Sequence, residues 1–320
     1  MISENLFGAD YISNAAQSNV KHVFVITNPI NTIVVRMLIN RFCIENDDIL
    51  IFSMRGTDTT LVGPCAIAGS STLFDRALMK FFNFSGQGLR FKKFVEQDKR
   101  KFILYASWMY PEIEVLAKSH LCLGSVYIEE GQQSYYLARA YPASNNSWSK
   151  RKEKILGGSV DYYFRNDHRA CVGLGANAFP LMDSEKKIVL KEFELLKKCY
   201  LPQLSGKPHI GVTPAPRRIP ENQIFTMARV FANILPDGGV VKLHPGFNVH
   251  QKMARIFKEE LKRASLGKVK CAPNSTIIEL EMLFEQKFLF GPRSSISIYA
   301  EIFNCEYQTI TFSGYIDPLN

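Results

Sequence analysis

The chain is 320 residues long, with 46% hydrophobic and 22% charged side chains, which excludes a disordered protein and leaves room for two domains of ordinary size. Its 39 Lys and Arg against 30 Asp and Glu give a net charge of +9, with basic residues crowded in RFKKFVEQDKRK (Arg90 to Lys101) and SKRKEK (Ser149 to Lys154), which suits either an anionic partner (phosphate, nucleic acid or an anionic bilayer surface) or a solvated, lysine-rich face. Seven scattered cysteines, never spaced C-x-x-C, exclude a disulfide framework or a zinc site and indicate a reducing compartment.

The N-terminal sequence has no basic stretch followed by an apolar one, and no apolar run reaches membrane-spanning length. A cytoplasmic protein is expected, at most peripheral on the inner face of the membrane. The first elements are a buried strand over His22 to Thr27, a tight Asn28-Pro29 turn and an amphipathic helix ending near Cys43. Strands follow at Asp48 to Met54, Lys101 to Ala106 and Leu121 to Ile128, with a helix through PEIEVLAK between the last two. This alternation predicts a parallel sheet covered by helices on both faces. The segment from Gln132 to about Leu181 reads as strand-poor insertions, and Ser184 to Tyr200 as a long helix.

A proline-rich break over Tyr200 to Lys207 and beyond opens the second half, whose first strand is HIGVT. Helices at Glu221 to Leu235, Val249 to Ala264, Ile277 to Glu285 and Ser294 to Phe303 then alternate with strands at Gly239 to Leu243, Lys268 to Cys271, Lys287 to Phe290 and Tyr307 to Phe312. Two Rossmann-like domains are expected, 1–205 and 206–320, facing each other across a cleft at the carboxyl ends of both sheets.

Polar residues collect at three of those strand ends. His244 follows the strand in VVKLHPGF, where open α/β sheets place their ligands; a histidine there serves chemistry or bonds a loop. Glu129 and Glu130 follow the strand ending at Ile128, and Gly131 permits a sharp turn, so this is either a general base in a cleft wall or an acidic surface turn. Ser294 and Ser295 open a helix behind Gly291 and Pro292, a setting for phosphate binding or for ordinary N-capping.

The E-E-G of Glu129 to Gly131, the His-Pro of His244 and Pro245, and the Ser-Ser of Ser294 and Ser295 resemble, in that order, the D/E-D/E-G, HP and S-S/T motifs of bacterial sialyltransferases, the lipooligosaccharide sialyltransferases and capsular polysialyltransferases. The resemblance extends to the two-domain outline of nearly the whole chain. It implies a GT-B fold and inverting transfer of sialic acid from CMP-sialic acid to a hydroxyl of an acceptor glycan. It also implies roles: Glu130 or Glu129 as the base, His244 as the acid assisting departure of CMP, Ser294 and Ser295 as phosphate ligands beside Pro245, and Glu279 as the ligand of the ribose hydroxyls.

Lys242, on the same side of its strand as His244, is within reach of a phosphate or carboxylate of the donor. Glu279 also suits the positive end of its helix, and Asn28 either contacts the donor sugar or makes a turn. The motif is E-E-G rather than an aspartate pair, so which glutamate acts as base is open. The compact chain points to addition of one residue or a short cap. No D-x-D lies near a strand end in the first half, which fits transfer without a metal or other cofactor. A lipid-linked acceptor would explain the basic clusters through docking at an anionic leaflet. The alternatives are a donor carrying another CMP-activated nonulosonic acid or CMP-Kdo and, from another class, a basic nucleic-acid-binding protein. The latter lacks zinc-finger spacing, RNP-like aromatics or a basic helix, so no nucleic-acid partner is expected.

Overall fold

The computed structural model describes residues 6–54, 57–64, 66–68, 86–107, 111–135 and 168–312. The basic cluster Ser149 to Lys154 and most of the irregular segment after Gln132 lie outside them. The chain divides into two units, Met1–Cys199 and Tyr200–Asn320.

In the first unit, helix α1 (Gly8–Ala16) precedes strand β1 (Lys21–Ile26), whose last five residues are buried, as a strand covered on both faces requires. Helix α2 (Pro29–Phe42) starts where the sequence places it, because Pro29 supplies a fixed helical φ at the first position and Asn28 accepts from the Asn31 N–H. Strands β2 (Ile49–Ser53) and β3 (Ile67–Ala68), helix α3 (Gly86–Glu96), β4 (Phe102–Ala106), helix α4 (Pro111–Ala117) and β5 (Cys122–Ile128) follow. The sheet is completed by β6 (His168–Gly173) and β7 (Lys187–Val189), in the order β3-β2-β1-β4-β5-β6-β7, with every pairing parallel. The strand order reverses between β1 and β4, the position where such sheets open a crevice.

Two expectations fail here. The strand β6 lies inside the segment read as strand-poor, and the long helix over Ser184 to Tyr200 does not form. A single 3₁₀ turn at Ser184–Lys186 leads into β7, and only Glu194–Lys197 (α5) is helical. Pairing with β6 overrides the helical spacing: Leu190 N–H donates to the Gly173 carbonyl at 2.9 Å, and Ile188 and Leu190, two residues apart, are the buried ones.

In the second unit β8 (His209–Val212), α6 (Ile224–Ile234), β9 (Val240–Lys242), α7 (Gln251–Ala264), β10 (Lys270–Cys271), α8 (Ile278–Glu281), β11 (Phe288–Gly291), α9 (Ser295–Ile302) and β12 (Glu306–Thr309) alternate as the sequence predicts. The all-parallel sheet runs β10-β9-β8-β11-β12, reversing between β8 and β11. Ile224, Met227, Ala228, Phe231 and Leu235 recur at helical spacing and seat α6 on Val241, Leu243 and Phe257. The stretch expected as a linker is bonded into this unit: buried Glu281 accepts from Tyr200 Oη (2.7 Å), Gln203 N–H (2.8 Å) and Leu204 N–H (2.9 Å). The helix expected over Ile277 to Glu285 shortens to Ile278–Glu281.

Candidate functional site

Polar side chains gather at the reversal point of each sheet. In the first unit, the ends of β1, β4 and β5 are joined by Asn31, fully buried on the inward side of α2. Its Oδ1 accepts from Thr27 N–H (3.0 Å) and Thr27 Oγ1 (2.8 Å), and Thr27 Oγ1 contacts Ser107 Oγ at 3.2 Å. Its Nδ2 donates to the Glu129 carbonyl at 2.7 Å. Asn28 completes the clamp: Oδ1 takes the Asn31 N–H and Nδ2 donates to the Glu130 carbonyl at 3.2 Å. The Asn28 side chain thus makes the turn, with one bond at each of its amide atoms.

The two glutamates of this turn differ. Glu129 is fully buried; its Oε1 accepts from Tyr135 Oη (2.8 Å) and its Oε2 from Leu174 N–H (2.6 Å). Burial and the adjacent Glu129 raise the Tyr135 phenol well above its ordinary pKa, keeping it a donor. Glu130 is half-buried, with its backbone held by Ser134 Oγ on its N–H (3.1 Å) and Asn28 on its carbonyl. Gly131 makes the turn at φ +108°, where a side chain would be strained.

In the second unit the ends of β8, β9 and β11 carry the expected residues. His244 N–H donates to Thr213 Oγ1 at 2.8 Å, and His244 Nδ1 accepts from Gly246 N–H at 2.9 Å. An accepting Nδ1 places the ring proton on Nε2, leaving that N–H as the donor the residue can present. The packing of protein around the ring, then the charges of Arg218 and Arg217, lower the imidazole pKa to about 4. Because the residue keeps an exposed surface, water offsets part of the packing effect, while the two arginine charges still favour the neutral ring. Pro245, also exposed, begins the 3₁₀ turn Pro245–Asn248.

Lys242 is turned toward the next loop: its Nζ donates to the carbonyls of Pro273 (3.0 Å) and Asn274 (2.7 Å). Burial, partly countered by Glu279, lowers its pKa to about 8. Glu279 is 8% exposed, and burial raises its carboxyl to about 7 against the pull of Lys242. The sequence expectation of Lys242 as a donor ligand thus meets an ammonium already engaged with the loop that leads to Glu279.

Ser294 has the extended backbone of an N-cap (φ −158°) but makes no side-chain cap bond. Its Oγ is buried and has no hydrogen-bond partner among the described residues. Ordinary capping therefore does not account for this serine. Ser295 is half-buried in the first turn of α9. Gly291 is required just before them, since a Cβ there would lie 2.5 Å from Val212 Cγ2. Sequence reading passed over Thr27, Asn31, Ser107, Thr213, Arg217 and Arg218; all but Asn31 obey the signal that found His244, a polar residue at or just beyond a strand end.

No family model matches the sequence, and comparison with curated protein sequences returns no match. Among solved structures, the chain is similar to a protein from Listeria monocytogenes provisionally assigned as a UDP-N-acetylglucosamine 2-epimerase, with TM-score 0.52 and 7% identity over 91% of this chain and 79% of that one. Looser likenesses, without weight here, are to UDP-N-acetylglucosamine 2-epimerase from Rickettsia bellii (TM-score 0.49, 11% identity, 91% and 79% covered) and to E. coli heptosyltransferase WaaC (TM-score 0.40, 13% identity, 93% and 90% covered). At such identity the likeness establishes fold alone. The chain consists of two parallel-sheet Rossmann-like domains of GT-B type. Among the described residues no helix is long and apolar enough to cross a membrane.

Proposed function

We propose that the protein is an inverting sialyltransferase, moving sialic acid from CMP-sialic acid to a hydroxyl of a surface glycan. The observation that carries this reading is the buried, unpartnered Ser294 Oγ at the start of α9, beside the β8–β11 reversal point. A hydroxyl beside the N–H groups of a helix N-terminus suits the phosphate of a nucleotide-activated sugar. The HP turn and the E-E-G turn, each braced by its own unit, supply the groups such a transfer needs.

In this reading Glu130 is the base, because Glu129 is engaged by Tyr135 and Leu174. The Glu130 carboxylate takes the proton of the acceptor hydroxyl as its oxygen attacks the anomeric carbon of sialic acid. The bond from that carbon to the phosphate oxygen breaks and CMP leaves. His244 assists through its neutral Nε2–H, donating a hydrogen bond to the departing phosphate, and Ser294 and Ser295 hold the same group. Glu279 takes the ribose hydroxyls. The reading assigns no step to a metal. A lipid-linked acceptor belongs to it as well: Lys93, Lys99 and Lys101 are exposed, as is Leu89, and suit an anionic leaflet.

The test is CMP release from CMP-sialic acid, with and without galactose-terminated acceptors. Acceptor-dependent release that falls about 100-fold or more in His244→Ala is expected, the scale of losing one donor at a developing charge. Absence of both release and CMP binding, or turnover of UDP-N-acetylglucosamine instead, would overturn the donor assignment.

A further inference from the structure

Directly after β8 the chain runs Thr213-Pro214-Ala215-Pro216-Arg217-Arg218. The turn is rigid. Arg218 N–H donates to the Ala215 carbonyl (2.9 Å) and Ile219 N–H to that of Pro216 (3.2 Å), and Ile219, 5% exposed, is anchored in the core. On its other side the turn packs against the HP turn so closely that a Cβ on Gly246 would lie 3.0 Å from Pro216 Cδ. Thr213 Oγ1 holds the His244 N–H. The backbone carrying the two arginines is therefore held next to the HP turn by contacts that do not involve their guanidinium groups.

Those guanidinium groups have no acidic partner and no hydrogen bond among the described residues, although Arg218 is half-buried. Three other withdrawn charges of the unit are paired. Glu260 is bound by Arg229 and Arg263, Lys287 by Glu285, and Lys242 by two carbonyls. A half-buried charge without an internal partner keeps its contact with water and its donors remain open to a ligand. Arginine is suited to this because its planar fork meets two oxygens of one oxyanion at once.

We infer that the Arg217–Arg218 turn is an oxyanion subsite beside the HP turn, taking a phosphate or carboxylate oxygen of the donor. The inference rests on the donor class proposed above and extends it. A CMP-linked sugar acid carries two anionic groups, and Ser294 with the α9 N-terminus accounts for only one anion site.

Calorimetry on the full chain compares binding of CMP and CMP-sialic acid to wild type, Arg218→Ala, Arg218→Lys and the Arg217→Ala/Arg218→Ala double variant, each checked by thermal melting. CMP-sialic acid should bind about 10-fold to 100-fold more weakly to Arg218→Ala, with partial recovery in Arg218→Lys. An equal loss for CMP identifies the phosphate as the group held; a loss confined to CMP-sialic acid identifies the carboxylate. Wild-type affinity for both ligands in a folded double variant overturns the subsite and leaves the donor assignment standing. Should wild type bind neither nucleotide, the donor assignment fails, and inorganic phosphate remains as the probe. A phosphate-induced melting shift lost in the double variant supports the subsite, and an unchanged shift overturns it.

Discussion

The polar clusters at the two reversal points are built in opposite ways. At the ends of β1, β4 and β5, Thr27, Asn28, Asn31 and Glu129 meet one another, neighbouring backbone or Tyr135, at 2.6 to 3.2 Å. At the ends of β8 and β11, Ser294 Oγ and the guanidinium groups of Arg217 and Arg218 have no such partners among the described residues. Polar groups that satisfy each other hold a backbone in place; polar groups left without internal partners on an ordered backbone stay open to a ligand. The first cluster is read as a brace for the Glu130 turn and the second as a receptor for an anion.

Substituting the two glutamates gives the largest test of that contrast. Glu130→Gln should lower kcat by about 100-fold to 10,000-fold, the range for loss of a general base, with CMP affinity and melting temperature as in wild type. Glu129→Gln replaces an oxygen that accepts a buried hydrogen bond with an amide donor, and should cost stability on the order of 1–3 kcal/mol in chemical denaturation. An inactive Glu129→Gln of unchanged stability would reverse the assignment of brace and base.

Next in size is Ser294→Ala. CMP should bind about 10-fold to 100-fold more weakly, as expected for a lost hydrogen bond to a charged group, while the unliganded protein keeps its stability because the hydroxyl makes no cap. The opposite pattern, a stability loss of about 1 kcal/mol with CMP affinity intact, is the signature of a conventional N-cap and would break the comparison.

The smallest effect expected is a pH dependence from Glu279. Its folded carboxyl titrates near 7, raised by burial from 4.5, so its contribution to stability is fully present below about pH 4.5 and is lost as pH rises through about 7. Affinity should move the other way, because the ionised carboxylate is the form that accepts from ribose hydroxyls. CMP binding is expected to tighten by several-fold to about tenfold between pH 6 and pH 8, and Glu279→Gln should flatten the profile. A slope that survives this substitution would assign the titration to another group.

Much of this arrangement was legible in the sequence because it rests on local rules. The strand-helix alternation, the Asn28-Pro29 helix start and the polar residues just past strand ends follow from periodicity, from the fixed φ of proline and from where parallel sheets place their loops. The readings that failed depended on a partner distant in sequence. Lys187–Val189 became a strand because β6 offered it a ladder, and β6 itself was obscured by a stretch rich in Tyr, Asn and Gly. Asn31 looked like an unremarked helix residue, since nothing local shows that Thr27 and Glu129 converge on it.

The sequence by itself determined two parallel α/β units and the candidate residues Glu129, Glu130, His244, Ser294 and Ser295, because covalent neighbours and repeat period decide both. Only the tertiary structure separated Glu129 from Glu130, turned Lys242 to the carbonyls of Pro273 and Asn274, and left Ser294 Oγ, Arg217 and Arg218 without internal partners among the described residues. Whether a polar group is satisfied is a property of three-dimensional neighbours, and no pattern along the chain encodes it locally.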